Sequence, residues 1–86
     1  EADGSYRVKA TMELIDFNEA FGTEFSDEES DTVGGLVIHR LGRLPQRGER
    51  LEIDGWTFEV LRAASRRLHW LRVRPPAPSG GEESAG

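Results

Sequence analysis

The apolar positions of this 86-residue chain change their period from one stretch to the next. Over residues 5–9 they alternate. Tyr6 and Val8 share one face and Arg7 and Lys9 the other, the pattern of a half-buried strand. Leu14, Phe17 and Phe21 then recur at i, i+3 and i+7, one stripe of a short amphipathic helix. Asp16, Asn18 and Glu19 fall on its wet side. Thr11 is placed to cap its start, with Glu13 in the first turn, where a helix favours negative charge. Gly22 is placed to stop it in a left-handed conformation, and Phe25 to fold back over the stripe. An acidic loop over residues 26–30 leads to a second helix over residues 33–41, capped by Asp31 or Thr32 and ended by Gly42 and Pro45.

Gly34 and Gly35 stand side by side within this second helix, where each costs about 1 kcal/mol relative to alanine. Close approach of another backbone is the simplest compensation. After a turn over residues 45–49, Leu51 and Ile53 lead into Asp54-Gly55, the strongest short hairpin signal. Trp56, Phe58 and Val60 then alternate with Thr57, Glu59 and Leu61, as in an antiparallel strand with one packed face. A turn at Ser65-Arg66-Arg67 precedes a last strand over residues 68–74. Leu71 and Val73 are assigned to one face of it, Leu68 and Trp70 to the other. The order β-α-α-β-β-β predicts an α+β domain, with two helices packed on a mainly antiparallel sheet of about four strands. Residues 1–4 read as a disordered start and residues 5–74 as the domain. Residues 75–86, which hold no core-forming side chain, read as a disordered tail.

Composition narrows the function classes. The chain is polar, 36% hydrophobic and 31% charged, but its seven aromatic residues argue against full disorder. No cysteine is present, which excludes disulfides, thiolate metal ligands and a cysteine nucleophile. The longest apolar run is Leu36-Val37-Ile38, far short of a membrane span, so no direct membrane insertion is expected. The chain begins at Glu1 rather than Met and reads as a piece of something longer. The net charge of −5 is unevenly spread. Residues 1–32 carry ten acids against Arg7 and Lys9, whereas residues 33–81 carry nine arginines against four acids. The simplest expectation is that the two halves neutralise each other on packing.

Catalytic chemistry finds little footing. Ser5, Ser26, Ser30 and Ser65 lie in terminal or turn contexts with no nucleophile elbow, and His39 and His69 occupy ordinary helix and strand positions. The chain is therefore expected not to be an enzyme. Asp27-Glu28-Glu29-Ser30-Asp31 lacks the ligand spacing of a calcium loop and reads as a solvated acidic loop, with only weak attraction for magnesium. No metal site is assigned. Thr32, Gly34 and Gly35 place small residues at a helix N-terminus, where an anionic cofactor could be held. They read first as packing residues and second as a cofactor-binding cradle. Arg62, Arg66, Arg67, Arg72 and Arg74 with Trp70 could form a basic, aromatic sheet face. The acidity of the whole chain and the lack of a recognisable binding module argue against a nucleic-acid partner. A sheet ending in Leu68-His69-Trp70-Leu71 could pair edges or faces with a second copy, as a homodimer.

One longer string carries a family resemblance. Asp31-Thr32-Val33-Gly34-Gly35-Leu36-Val37 is followed by Leu41-Gly42-Arg43-Leu44-Pro45 and Gly48-Glu49. Phe17-Asn18-Glu19 lies upstream and Ile53-Asp54-Gly55-Trp56-Thr57-Phe58-Glu59-Val60 downstream. Together, over about residues 5–74, they resemble the CorC/HlyC transporter-associated domain. Many members have Asp-Gly where this chain has Lys9-Ala10, and an aromatic residue where it has Ser30. The resemblance implies a cytosolic C-terminal accessory domain of a membrane protein for magnesium and cobalt efflux, or of a hemolysin-like one. It would sit beside a CBS pair and the transmembrane domain of the same protein and modulate ion transport. The resemblance also implies a fold like part of a PCMH-type FAD-binding domain. FAD or an adenine nucleotide is then the implied cofactor, by fold analogy. It transfers no catalytic residue.

Overall fold

The computed structural model describes residues 4–76. Six elements follow one another: β1 (Tyr6–Lys9), α1 (Leu14–Phe21), α2 (Val33–Leu41), β2 (Arg50–Ile53), β3 (Trp56–Ala63) and β4 (Leu68–Arg74). The strands form one antiparallel sheet in the order β1-β4-β3-β2. The expected α+β architecture is therefore the observed one. The residues assigned to a disordered start and tail fall outside the described ones, apart from Gly4, Pro75 and Pro76.

The helices cover one face of the sheet. Leu14 and Phe17 of α1 and Val33, Leu36 and Val37 of α2 are buried against Val8, Phe58, Val60, Leu71 and Val73 of the strands. Phe17 is the aromatic centre of this layer, with ring centroids 4.6 Å from Phe21, 5.8 Å from Trp56 and 6.2 Å from Phe58. Burying such rings supplies much of the apolar stabilisation available to so short a chain. Phe25 does fold back, 6.0 Å from Phe17, and is buried.

The β2–β3 hairpin turns at Asp54-Gly55 as expected. Both residues adopt positive φ, 52° and 87°, and Ile53 pairs with Trp56. Such a turn matches the right-handed twist of the flanking strands. Gly22 and Gly42 close their helices at φ 70° and 79°.

Three expectations are corrected. First, Thr11 does not cap α1. The helix starts at Leu14, with Glu13 at the cap position and no side-chain cap bond. A backbone contact does that work instead. The Leu14 N–H donates to the Asp31 carbonyl at 2.7 Å, and Glu13 bridges Thr32. Second, Leu68 does not share the face of Trp70. It is buried in the core, because the β3–β4 register shifts between Val60 and Arg62 and again between Arg62 and Ala63, the second shift leaving His69 of β4 without a partner in the register. Third, Leu68 to Leu71 do not form a sheet edge. β4 lies inside the sheet, and the edges are β1 and β2.

The other face of the sheet is open. The register places Arg7, Arg72, Glu59 and Arg50 in one row across all four strands. Flanking rows hold Lys9, Trp70 and Arg62 on one side and Arg74, Thr57 and Glu52 on the other.

Candidate functional site at the start of the second helix

Thr32, Gly34 and Gly35 line one open depression of about 330 Å³. Its lining comes from α2, from Ala10 and Thr11 after β1, and from Arg66 and Arg67 of the β3–β4 turn with Leu68 at the start of β4. The sequence places these arginines in the β3–β4 turn and offers them also to a basic sheet face. The fold brings them instead to the residues singled out as a cradle. No sequence spacing could have shown this, because the β3–β4 turn and α2 meet only in the folded chain.

The local geometry explains the two glycines. Thr32, not Asp31, caps α2, its Oγ1 accepting from the Gly35 N–H at 3.1 Å. The Gly34 N–H donates to the Ala10 carbonyl at 2.8 Å, and the Val33 N–H to the Met12 carbonyl at 2.9 Å. A Cβ on Gly34 would stand 2.8 Å from the Ala10 Cβ and 3.0 Å from its carbonyl oxygen. A Cβ on Gly35 would fall on the Ser30 hydroxyl. The glycines therefore admit the chain end of β1 and the Ser30 side chain against the helix. The first-turn N–H groups are taken within the chain, so as a backbone cradle they do not fit a phosphate. The side chains of Arg66 and Arg67 and the partial positive charge of the helix end remain to attract an anion.

The second part of the sequence string is a clasp. Arg43 Nη1 and Nη2 donate to the Glu49 carboxylate at 2.9 and 2.6 Å, and the Gln46 N–H donates to it at 2.7 Å. These bonds, that of Arg43 foremost, hold the Glu49 carboxyl at about 2, well below the usual carboxylate range. Gly48, at φ 92°, lets the turn return so that its N–H reaches the Val60 carbonyl at 2.8 Å.

Sequence reasoning missed Asn18, which it placed among the solvated residues. Its Oδ1 accepts from Thr23 Oγ1 at 2.7 Å and from the Phe25 N–H at 3.0 Å, while Nδ2 donates to the Phe25 carbonyl at 2.9 Å. One side chain thus fixes the fold-back of Phe25. The place of Asn18 in the Phe17-Asn18-Glu19 part of the family string is a hint, and it does not name the partners.

Among the described residues no group of three or more His, Asp or Glu side chains is gathered for a metal ion, and no helix is long and apolar enough to cross a membrane. His39 Nε2 lies 2.6 Å from the Glu29 carboxylate, both on the surface.

A two-helix layer on a four-stranded antiparallel sheet, its second helix capped by Thr-x-Gly-Gly against the end of β1, defines the class. The chain belongs to the Transporter associated domain family, CorC_HlyC, whose profile it matches over residues 1–77. It is 52% identical over 75 residues to the magnesium and cobalt efflux protein CorC of Escherichia coli K12, covering 87% of this chain and 26% of that protein. The CorC of Vibrio cholerae is 53% identical over 72 residues, covering 84% and 25%. The chain thus spans about a quarter of the length of these relatives. Among solved structures, the region associated with the Mg2+ and Co2+ transporter CorC of Neisseria meningitidis MC58 superposes with a TM-score of 0.82 at 51% identity, covering 84% of this chain and 89% of that one. A CorC_HlyC domain of a Xylella fastidiosa hemolysin, solved in complex with Mg++ and Mn++, superposes at 0.79 with 26% identity, covering 90% and 94%.

Proposed function

We propose that this chain is a non-catalytic accessory domain that modulates ion transport by a magnesium and cobalt efflux protein. It works from the cytosolic face, at the C-terminal end of that protein, beside a CBS pair and the transmembrane part. The observation that carries the reading is the 52% identity to a stretch forming 26% of the E. coli efflux protein. The description of the family as transporter-associated supports a non-catalytic role. The test is magnesium and cobalt flux by the full-length protein, with and without the region of residues 5–74, at matched membrane levels. The expected result is an altered rate or altered ion sensitivity. Unchanged flux and unchanged sensitivity refute the proposal.

The second reading is binding of FAD or an adenine nucleotide in the depression lined by Thr32, Gly34 and Gly35. The presence of Arg66 and Arg67 at the same depression favours it. Since the glycine N–H groups are taken, the phosphates would be met by the arginine side chains. A ligand at 100 times its Kd adds about 2.7 kcal/mol to stability. Thermal melts with FAD, AMP and ATP should therefore show a rise that Arg66→Ala with Arg67→Ala removes. Absence of a shift with every ligand rejects this reading.

A further inference from the structure

We infer that the open face of the sheet is a homotypic docking surface, and that it receives the acidic segment over residues 27–31 of a second copy. The inference goes beyond the proposed function and does not depend on it.

The argument starts from charge placement. On a chain of net charge −5, the three rows of the open face hold six cations and only two carboxylates, Glu52 and Glu59. Glu29 of the acidic half reaches His39 of the basic half, and neither residue belongs to this face. The ion pairs Arg43–Glu49 and Arg72–Glu59 both lie inside the basic half. Arg72 stands at the centre of the middle row. Its Nη1 is 3.5 Å from the Glu59 carboxylate, and its Nε is buried without a hydrogen-bond partner. The Arg72 side chain is one-third exposed, so an incoming carboxylate can meet its guanidinium from the open side.

The same face disfavours nucleic acid. Base stacking needs an open aromatic ring. The Trp70 ring is covered by Arg7 and Lys9, at 5.5 and 5.9 Å from its centroid. Glu52 and Glu59 repel phosphates. Protein carboxylates, which can be spaced to avoid those two groups, are the better match.

The matching surface is present in the chain itself. Asp27, Glu28, Glu29 and Asp31 are exposed in the connection between α1 and α2, and Glu29 reaches His39 on α2. This connection belongs to the helical layer, opposite the open sheet face. Each copy therefore presents a basic side and an acidic side. The contact is heterologous, head to tail, and propagates with concentration instead of closing as a two-fold dimer.

The experiment is sedimentation velocity over rising protein concentration. The expected result is a steadily growing average mass, with affinity at least tenfold weaker when salt is raised from about 20 to about 500 mM. Two variants separate the surfaces. Arg7→Glu with Arg50→Glu spoils the basic face, and Asp27→Lys with Glu28→Lys spoils the acidic segment. All four positions are exposed, and circular dichroism checks that each variant folds. Each variant alone is expected to be monomeric. Their equimolar mixture is expected to form a 1:1 complex, because one still carries the acidic segment and the other the basic face. A strict monomer at low salt, or association that neither variant weakens, overturns the proposal. Failure of the mixture to form a complex does so too. Binding of a single-stranded oligonucleotide to the wild-type face without self-association also overturns it.

Discussion

Replacing Gly34 by alanine tests the packing of α2 against the end of β1. In an ordinary helix the change would stabilise the chain by up to about 1 kcal/mol, since alanine loses less backbone entropy. Here the added methyl would stand 2.8 Å from the Ala10 Cβ and 3.0 Å from the Ala10 carbonyl oxygen. That oxygen also accepts the Gly34 N–H at 2.8 Å, so the helix cannot retreat without stretching the bond. Overpacking of this kind costs about 1–3 kcal/mol. A weakened backbone bond adds about 0.5–1.5 kcal/mol. After the helix preference is subtracted, the expected net loss is about 1–3 kcal/mol. For a domain of this size each kcal/mol corresponds to a fall of about 4–8 °C in Tm. Urea titration followed by circular dichroism measures the loss, which should appear as a lower midpoint with an unchanged slope. Gly35→Ala is the internal comparison. There the added methyl would fall on the Ser30 hydroxyl with the Ser30 Cβ 3.0 Å away, so Ser30 must give up its bonds to Thr32 and a loss is expected there too. A Gly34→Ala protein as stable as the wild type, or more so, would refute the reasoning.

Two further outcomes are expected. Asn18→Ala removes the bonds to Thr23 and Phe25 and should cost about 1–3 kcal/mol. Amide exchange at Phe25 should accelerate, whereas Glu19→Ala on the exposed side of the same helix should change neither readout. The Glu49 carboxyl is held at about 2, below its ordinary value of 4.5. Its folded value is the lower one, so its stabilising contribution is complete above the ordinary value and is lost as pH falls toward 2. The stability of Glu49→Gln, measured by denaturant titration across that window, should fall less steeply with decreasing pH. An identical slope in the two proteins would remove the clasp from the account.

The elements were legible where one physical signal sufficed. The stripe of Leu14, Phe17 and Phe21 places α1, and the alternation of Trp56, Phe58 and Val60 places β3. Asp54-Gly55 places the β2–β3 hairpin because few dipeptides accept two positive φ angles. The site was half legible. The improbable pair Gly34-Gly35 marked a close approach, but the approaching segment, Ala10, lies more than twenty residues away. The N-terminus of α1 was misread for a related reason. Thr11 is a good local cap, yet the backbone of Asp31 satisfies the helix start instead. Leu68 was misplaced because strict alternation assumes an unbroken ladder, and the bulged register opposite it breaks that assumption.

By itself the sequence determined the periods, the stops and the turns, since each depends on the conformational preferences of neighbouring residues. It also determined the family, because the string from Asp31 to Glu49 combines the cap of α2, its packing glycines and the Arg43–Glu49 clasp. Only the tertiary structure decided which strand lies inside the sheet and what the glycines face. It alone brought Arg66 and Arg67 beside Thr32 and gathered the cations of four strands on one open face. Strand order and register depend on contacts between distant residues, and local preferences do not encode them.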